Sequence, residues 1–239
     1  MTKWGLVRAL LLGTLCVVSS LALGQSLRDQ ATEPRAFIPA GYVVVQEVQG
    51  DLNKDDQTDH VFVIKGTDEA MVIQHEYLGE LDRNRRGIII VFGEGERYRL
   101  VLDNRDCFSS ENEDGGVYMA PELDISIQNG NLFIHYLHGR YGYWTYNFRY
   151  QNAGFELIGY EGSQNRGPLI EQQTSINFLT GKMVKRVNRN TDPVGGVDRF
   201  TETWSDIALA EPIRLIDIAD FDQGLFSLEQ LVSEGQRIQ

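Results

Sequence analysis

LDISIQNGNLFIHYL (residues 123–137) and WTYNFRYQNAGFELIGY (residues 144–160) decide the fold of this chain. Leu123, Ile125 and Ile127 alternate with Asp124, Ser126 and Gln128, a period of two that puts apolar side chains on one face of a strand and polar ones on the other. Asn129-Gly130 then supplies two residues that accept positive φ, as a two-residue hairpin turn requires, and leads into 132–137. Trp144, Tyr146, Phe148 and Tyr150 share one face against Thr145, Asn147, Arg149 and Gln151, and Asn152-Ala153-Gly154 turns that strand into 155–160. The pattern predicts an antiparallel meander.

The same pattern extends in both directions. Downstream, 176–179 and 183–187 flank Thr180-Gly181-Lys182 as another hairpin, and the polar stretch 188–198 reads as a long loop before 200–209. Upstream, 88–92 and 98–102 flank Gly93-Glu94-Gly95-Glu96, and 61–64 is continuously apolar, as a strand buried on both faces should be. Residues 213–221 read as strand or short helix, and Ser227 caps Leu228, Leu231 and Val232 at helical spacing before Gly235. The fold expected is mainly β: stacked antiparallel meanders, propeller-blade-like or sandwich, with a short C-terminal helix. Residues 41–239 form one β-rich domain, divisible at most into 41–110 and 117–239, after a lead-in over 25–40.

Residues 1–24 have the layout of a secretory signal, with Lys3 and Arg8 before an apolar run over 9–18 and Ala22-Leu23-Gly24 before Gln25. A periplasmic or secreted protein is expected, with no membrane insertion after cleavage. Removing that segment takes the formal charge from −12 to −14 and leaves Cys107 as the one cysteine, so an intrachain disulfide is excluded. Cys107 is expected to be a buried small hydrophobe. The acidic balance argues against nucleic acid as a partner, because phosphate binding needs clustered Lys and Arg.

Between 42–48 and 61–64 lies Asp51-Leu52-Asn53-Lys54-Asp55-Asp56-Gln57-Thr58-Asp59. It spaces oxygen side chains at positions 1, 3, 5 and 9 of one loop, with a main-chain carbonyl at position 7. Hard cations take six to eight such oxygens, so the spacing suits a structural Ca²⁺ held by Asp51, Asn53, Asp55, Gln57 and Asp59. Phe62 stands where an EF-hand would place its last glutamate, which excludes that motif.

Gly50-Asp51-Leu52-Asn53-Lys54-Asp55, followed by Asp59-His60-Val61-Phe62-Val63-Ile64, resembles the calcium loop and following strand of FG-GAP or VCBS-type (integrin-like) repeats. Residues 87–95 are similar to the later strand and turn of such a repeat, so the resemblance covers about 42–102. It implies a β-propeller blade of the kind found in exported or cell-surface proteins, often adhesive, with Ca²⁺ on the loop carboxylates. Asp56 stands where that family usually has glycine, and the loop occurs once. A propeller needs four or more blades, so a compact stack of meanders is the expectation here.

Three function classes follow. The leading one is an exported, noncatalytic, calcium-stabilised module that binds an unknown protein or glycan or serves a structural role. The second is a carbohydrate-binding module using the aromatic strand around Trp144, with His138, Arg140, Tyr141 and Tyr143 beside it, set against the plain expectation that this aromatic face is core. The third is an envelope hydrolase built on a carboxylate pair or on the region of His138 and Arg140. His60, His75, His135 and His138 show no i, i+4 zinc spacing, and no GxSxG, P-loop or GxGxxG occurs, so catalysis has no motif behind it. The acidic stretch 107–116 matches no oxygen cage and reads as a solvated connection.

Overall fold

The computed structural model describes residues 30–112, 122–192, 196–209 and 211–223. Strands β1 (Gln30–Ala31), β2 (Tyr42–Gly50), β3 (Asp59–Gly66), β4 (Val72–His75), β5 (Gly79–Asp82), β6 (Arg86–Glu94) and β7 (Arg97–Phe108) make up the first half. Strands β8 (Glu122–Gln128), β9 (Asn131–Leu137), β10 (Gly142–Gln151), β11 (Gly154–Arg166), β12 (Leu169–Asn177), β13 (Lys182–Asn188) and β14 (Phe200–Asp206) make up the second. The first half gives an antiparallel sheet in the order β1-β7-β6-β3-β2, with β4 and β5 as a separate hairpin inserted between β3 and β6. The second gives a seven-stranded meander, β8 to β14 in sequence order. Among the described residues there is no α-helix, only short 3-10 turns, and neither large sheet closes on itself. The helix expected over 227–235 lies outside the described residues.

The hairpins form where turn chemistry places them. Asn129 and Gly130 have φ of 54° and 72°, the left-handed pair of a type I′ turn, and Gly95 (φ 67°) turns β6 into β7. Asn152 and Ala153 do the same between β10 and β11, at φ of 51° and 60°. An alanine pays a steric penalty there that glycine does not. Ala153→Gly is therefore expected to stabilise the protein by about 0.5–1 kcal/mol, as a higher midpoint in urea; an unchanged or lower midpoint would show that the turn is not strained.

The two large sheets face each other across one shared core. Val61, Val63, Ile88, Ile90 and Phe92 point into it from the first sheet, and Ile125, Ile134, Tyr136, Tyr146, Phe148 and Phe155 from the second. The Phe92 ring meets Tyr150 edge-on at 4.7 Å across the interface. The first sheet thus comes from strands between Gln30 and Phe108 and the second from strands between Glu122 and Asp206, and the core between them is common to both.

Continuous apolar runs in β3 and β6 have a second reason: alternate residues Phe62, Ile64, Ile89 and Val91 face away from the shared core. The lead-in covers that outer face, through Phe37 and Ile38 around the 3-10 turn Pro34–Phe37 and through β1 paired to β7. Toward the far edge of the second sheet, on the same face as Tyr160, Ile207 and Leu209 from beyond β14 cover Ile176 and Met183. The stretch 213–221, expected as strand or helix, makes a single bridge to Glu156 at Arg214 and then two 3-10 turns, and drops Leu215, Ile218 and Phe221 into the shared core. Cys107 is fully buried in that core, as expected for a small hydrophobe, and burial pushes its thiol far above the usual range.

Candidate functional site

Loop 51–58 joins β2 to β3 at the end of the molecule where three turns meet. An added Cβ on Gly50 would lie 2.9 Å from Ile127, so the loop approaches the last turn of β8 closely. The β8–β9 turn comes within 3.3 Å of the Asp51 carbonyl by the same measure at Gly130. On the other side, Gly93 N donates to Asp59 Oδ1 at 3.1 Å and Gly95 N donates to Gln57 Oε1, which ties the loop to the β6–β7 turn.

Inside the loop, oxygens at alternate positions gather main-chain N–H groups. Asp51 Oδ1 accepts from Lys54 N at 2.6 Å and from Asp55 N at 3.2 Å, and Asp51 Oδ2 accepts from Asp56 N at 3.0 Å. Asn53 Oδ1 accepts from Asp55 N at 3.1 Å, and Asp55 Oδ1 from Gln57 N at 2.9 Å. The amides Asn53 Nδ2 and Gln57 Nε2 both donate to Asp55 Oδ2. Asx-type bonds of this kind let the chain curl through left-handed Lys54 and Asp56, at φ of 66° and 62°. In this arrangement no three Asp, Glu, His or Cys side chains among the described residues surround a common point suited to a metal.

Asp59 differs from the rest of the loop in having no exposed surface. Its carboxylate accepts from Leu52 N at 2.8 Å as well as from Gly93 N, yet desolvation outweighs those bonds and raises its pKa, and Asp55 and Asp51 push it further up. A carboxyl whose folded-state pKa lies above the unfolded value favours folding below the carboxylate range and opposes it as pH rises through that range. At neutral pH the ionised Asp59 therefore opposes folding.

The second predicted group is divided between surfaces. His138 and Trp144 turn inward, their rings 3.9 Å apart, and burial lowers the His138 pKa against the opposing pull of Asp222. Tyr143 lies on the other face of the sheet, 5.5 Å from the His135 ring, while Arg140 and Tyr141 are exposed in the 3-10 turn between β9 and β10. The aromatic row packs on the shared core: Tyr150 meets Phe92 of the first sheet, Tyr146 and Phe148 meet Phe221, and Trp144, partly buried, lies against Tyr136 and His138. Tyr146 and Phe148 are buried there as core residues.

Other reactive side chains have structural partners. His60 Nδ1 meets Glu47 Oε1 at 3.0 Å, His135 Nδ1 meets Thr145 Oγ1 at 2.8 Å, and His75 Nδ1 accepts from Tyr77 N at 3.2 Å. The buried Glu156 accepts from Gln151 Nε2 at 2.6 Å and from Asn152 Nδ2 at 3.2 Å, which locks the β10–β11 turn.

A feature not foreseen in the sequence lies on the face of the second sheet that turns away from the core. There Thr145, Asn147 and Arg149, polar partners of the aromatic row, line a cleft of about 460 Å³ with Asn131, Glu161, Ser175 and Asn177. Alternation in the sequence set Thr145, Asn147 and Arg149 opposite the aromatic face, but only the order of strands β8 to β12 brings the others beside them. Scans against protein-family models, curated proteins and solved structures each return no match to this chain.

Proposed function

We propose that this chain is an exported, noncatalytic β module that works by binding, with loop 51–59 as a structural Ca²⁺ site clamping one end of its two facing sheets. The observation that carries the reading is the buried Asp59 carboxylate in the same loop as Asp51 and Asp55: burial raises its pKa, and the two neighbouring charges add to the rise. A divalent cation offsets that repulsion, and the donor chemistry suits it: oxygens of Asp51, Asn53, Asp55 and Asp59 with the Gln57 carbonyl. Asp56, in the place of the glycine of the FG-GAP and VCBS-type loops that this segment resembles, takes the left-handed φ of 62°. Binding requires the Asn53 amide to turn its oxygen toward the ion in place of the Nδ2 it now aims at Asp55.

Binding in place of turnover is supported by the employment of the usual catalytic side chains in the fold: His60 on Glu47, His135 on Thr145, His138 against Trp144, and Cys107 sealed in the core. Export rests on the leader-like residues 1–24, which lie outside the described residues.

Thermal unfolding of the purified protein in millimolar Ca²⁺ and in excess chelator tests the loop. A ligand specific for the folded state adds about 2.7 kcal/mol at a hundredfold excess over Kd, which in a chain of this size is a Tm rise of roughly 5–10 °C. The rise is expected to vanish in Asp51→Ala. An equal Tm with and without Ca²⁺ returns the loop to an Asx turn held by its own N–H groups and removes calcium from the reading.

A further inference from the structure

We infer that the cleft on the outer face of the second sheet is a binding site for a neutral oligosaccharide. The inference rests on the reading of the chain as a binding module and names the ligand class.

The site follows from strand register. Asn147 on β10 stands opposite Phe133 on β9 and Gly159 on β11, and Gly159 in turn stands opposite Asn177 on β12. One row further along, His135, Thr145, Glu161 and Ser175 align across the same four strands. Side chains of paired residues project to the same face, so these two rows form one continuous floor. Gly159 has no side chain, and the β10–β11 register shifts at Asn147/Phe148, which opens the floor beside Asn147. At about 460 Å³ the cleft falls within the roughly 300–1,000 Å³ of small-molecule sites.

The lining selects the ligand. Amides of Asn131, Asn147 and Asn177 and hydroxyls of Thr145 and Ser175 offer both donors and acceptors, which pair with the hydroxyls of a sugar. Asn147 Oδ1 has no hydrogen-bond partner among the described residues and is covered by its neighbours, so the Asn147 side chain must turn its oxygen toward the cleft to accept from a ligand hydroxyl. Phe133 gives one apolar surface on the floor for the C–H side of a sugar ring. Charge is balanced within the cleft: Arg149 lies at one end, held to Asn131 Oδ1 at 3.3 Å, and Glu161 on β11 stands opposite Thr145, four positions from Arg149 along β10. Anionic ligands and nucleic acid are disfavoured by this balance and by the formal charge of −12. A protein partner is disfavoured because the apolar side chains at the cleft, Phe133 and the exposed Leu179, stand among amides, hydroxyls and charges and do not form the continuous apolar centre that protein interfaces bury.

The same outward row runs on through Val184 to Trp204 on the edge strand β14. Trp204 is 64% exposed and lies three strand spacings from Glu161, roughly 14 Å. An exposed indole in line with a hydroxyl-matching cleft fits a linear chain laid across the strands, several sugar units long.

Isothermal titration of the full chain with neutral hexasaccharides of glucose, N-acetylglucosamine, mannose and xylose, and with the anionic hexamer of galacturonic acid, tests the site. Saturable binding of at least one neutral hexamer is expected, weakened roughly tenfold or more by Asn177→Ala and by Trp204→Ala. Both positions are exposed; Asn177 Oδ1 also accepts from Thr180 N at 3.0 Å in the β12–β13 turn, so each titration is run well below the Tm of the variant, where it is folded and lost binding reports the site. No neutral hexamer binding at millimolar concentration, stronger binding of the galacturonate, or neutral binding untouched by both substitutions each overturns the inference. Release of reducing ends during titration would sink the noncatalytic reading and leave the site standing, so the two fail separately.

Discussion

Phe221→Ala is expected to destabilise the protein by about 3–5 kcal/mol, the range for removing a fully buried phenylalanine, and so to lower Tm by roughly 10 °C or more. The ring belongs to neither sheet, yet it has no exposed surface and lies 5.1 Å from both Phe108 of the first sheet and Tyr146 of the second. Tyr136 and Phe148 complete its surroundings at 6.2 and 6.4 Å. The strand-free segment that carries it is pinned to β7 by Asn104 Nδ2, which donates to Leu215 O at 3.0 Å and Ile218 O at 2.8 Å. The wedge cannot easily collapse when the ring is removed, because the facing sheets are held apart by their own rigid backbones, and a cavity remains. Ile216→Ala, at a half-exposed position of the same segment, is the control and should cost under about 0.5 kcal/mol. Equal urea midpoints for the two variants would mean that the segment is not a wedge between the sheets.

Gly142→Ala is expected to cost about 2–4 kcal/mol, from two independent causes. Gly142 has φ of 115°, where an L side chain is strained, and a Cβ there would stand 1.9 Å from the carbonyl oxygen of Ser163 across the β10–β11 pair. Relief requires the start of β10 to move away from β11, which opens the pairs Gly142↔Gln164 and Tyr143↔Ser163. Amide exchange should therefore accelerate in that end of the hairpin before the rest of the sheet. Gly139→Ala separates the causes, because that glycine is also left-handed at φ of 54° but has nothing within 4 Å of its missing Cβ. Only the backbone penalty of about 1 kcal/mol is expected there. A Gly142→Ala variant no less stable than Gly139→Ala would show that the close approach to Ser163 is not enforced in solution.

Much of this fold is legible in short windows of sequence. Asn129-Gly130 and the alternation on either side fix one hairpin without help from distant residues, because positive φ and a period of two are local properties. The apolar run 61–64 announced burial on two faces, and β3 has it. The lead-in over 25–40 was not legible as part of the structure, since Ala31, Phe37 and Ile38 carry no periodicity and are held only by the sheet beneath them. The hairpin β4–β5 escaped notice for a related reason: it is a short, largely exposed excursion between β3 and β6 with little apolar pattern.

For the candidate sites the division is sharper. Composition and spacing determined that 51–59 gathers oxygens in one loop and that 144–150 has one aromatic and one polar face, because both are properties of residues within a few positions of each other. Only the tertiary structure decided that the aromatic face packs into the shared core, that His138 and Trp144 part company with Tyr143, and that Asp59 is buried. It alone placed Asn147, Glu161 and Asn177 on one floor with Trp204 in line, since strand order and register join residues as far apart in the chain as Asn147 and Trp204. Local sequence sets which way a side chain points from its own strand, whereas what it meets there depends on packing between segments that no local pattern encodes.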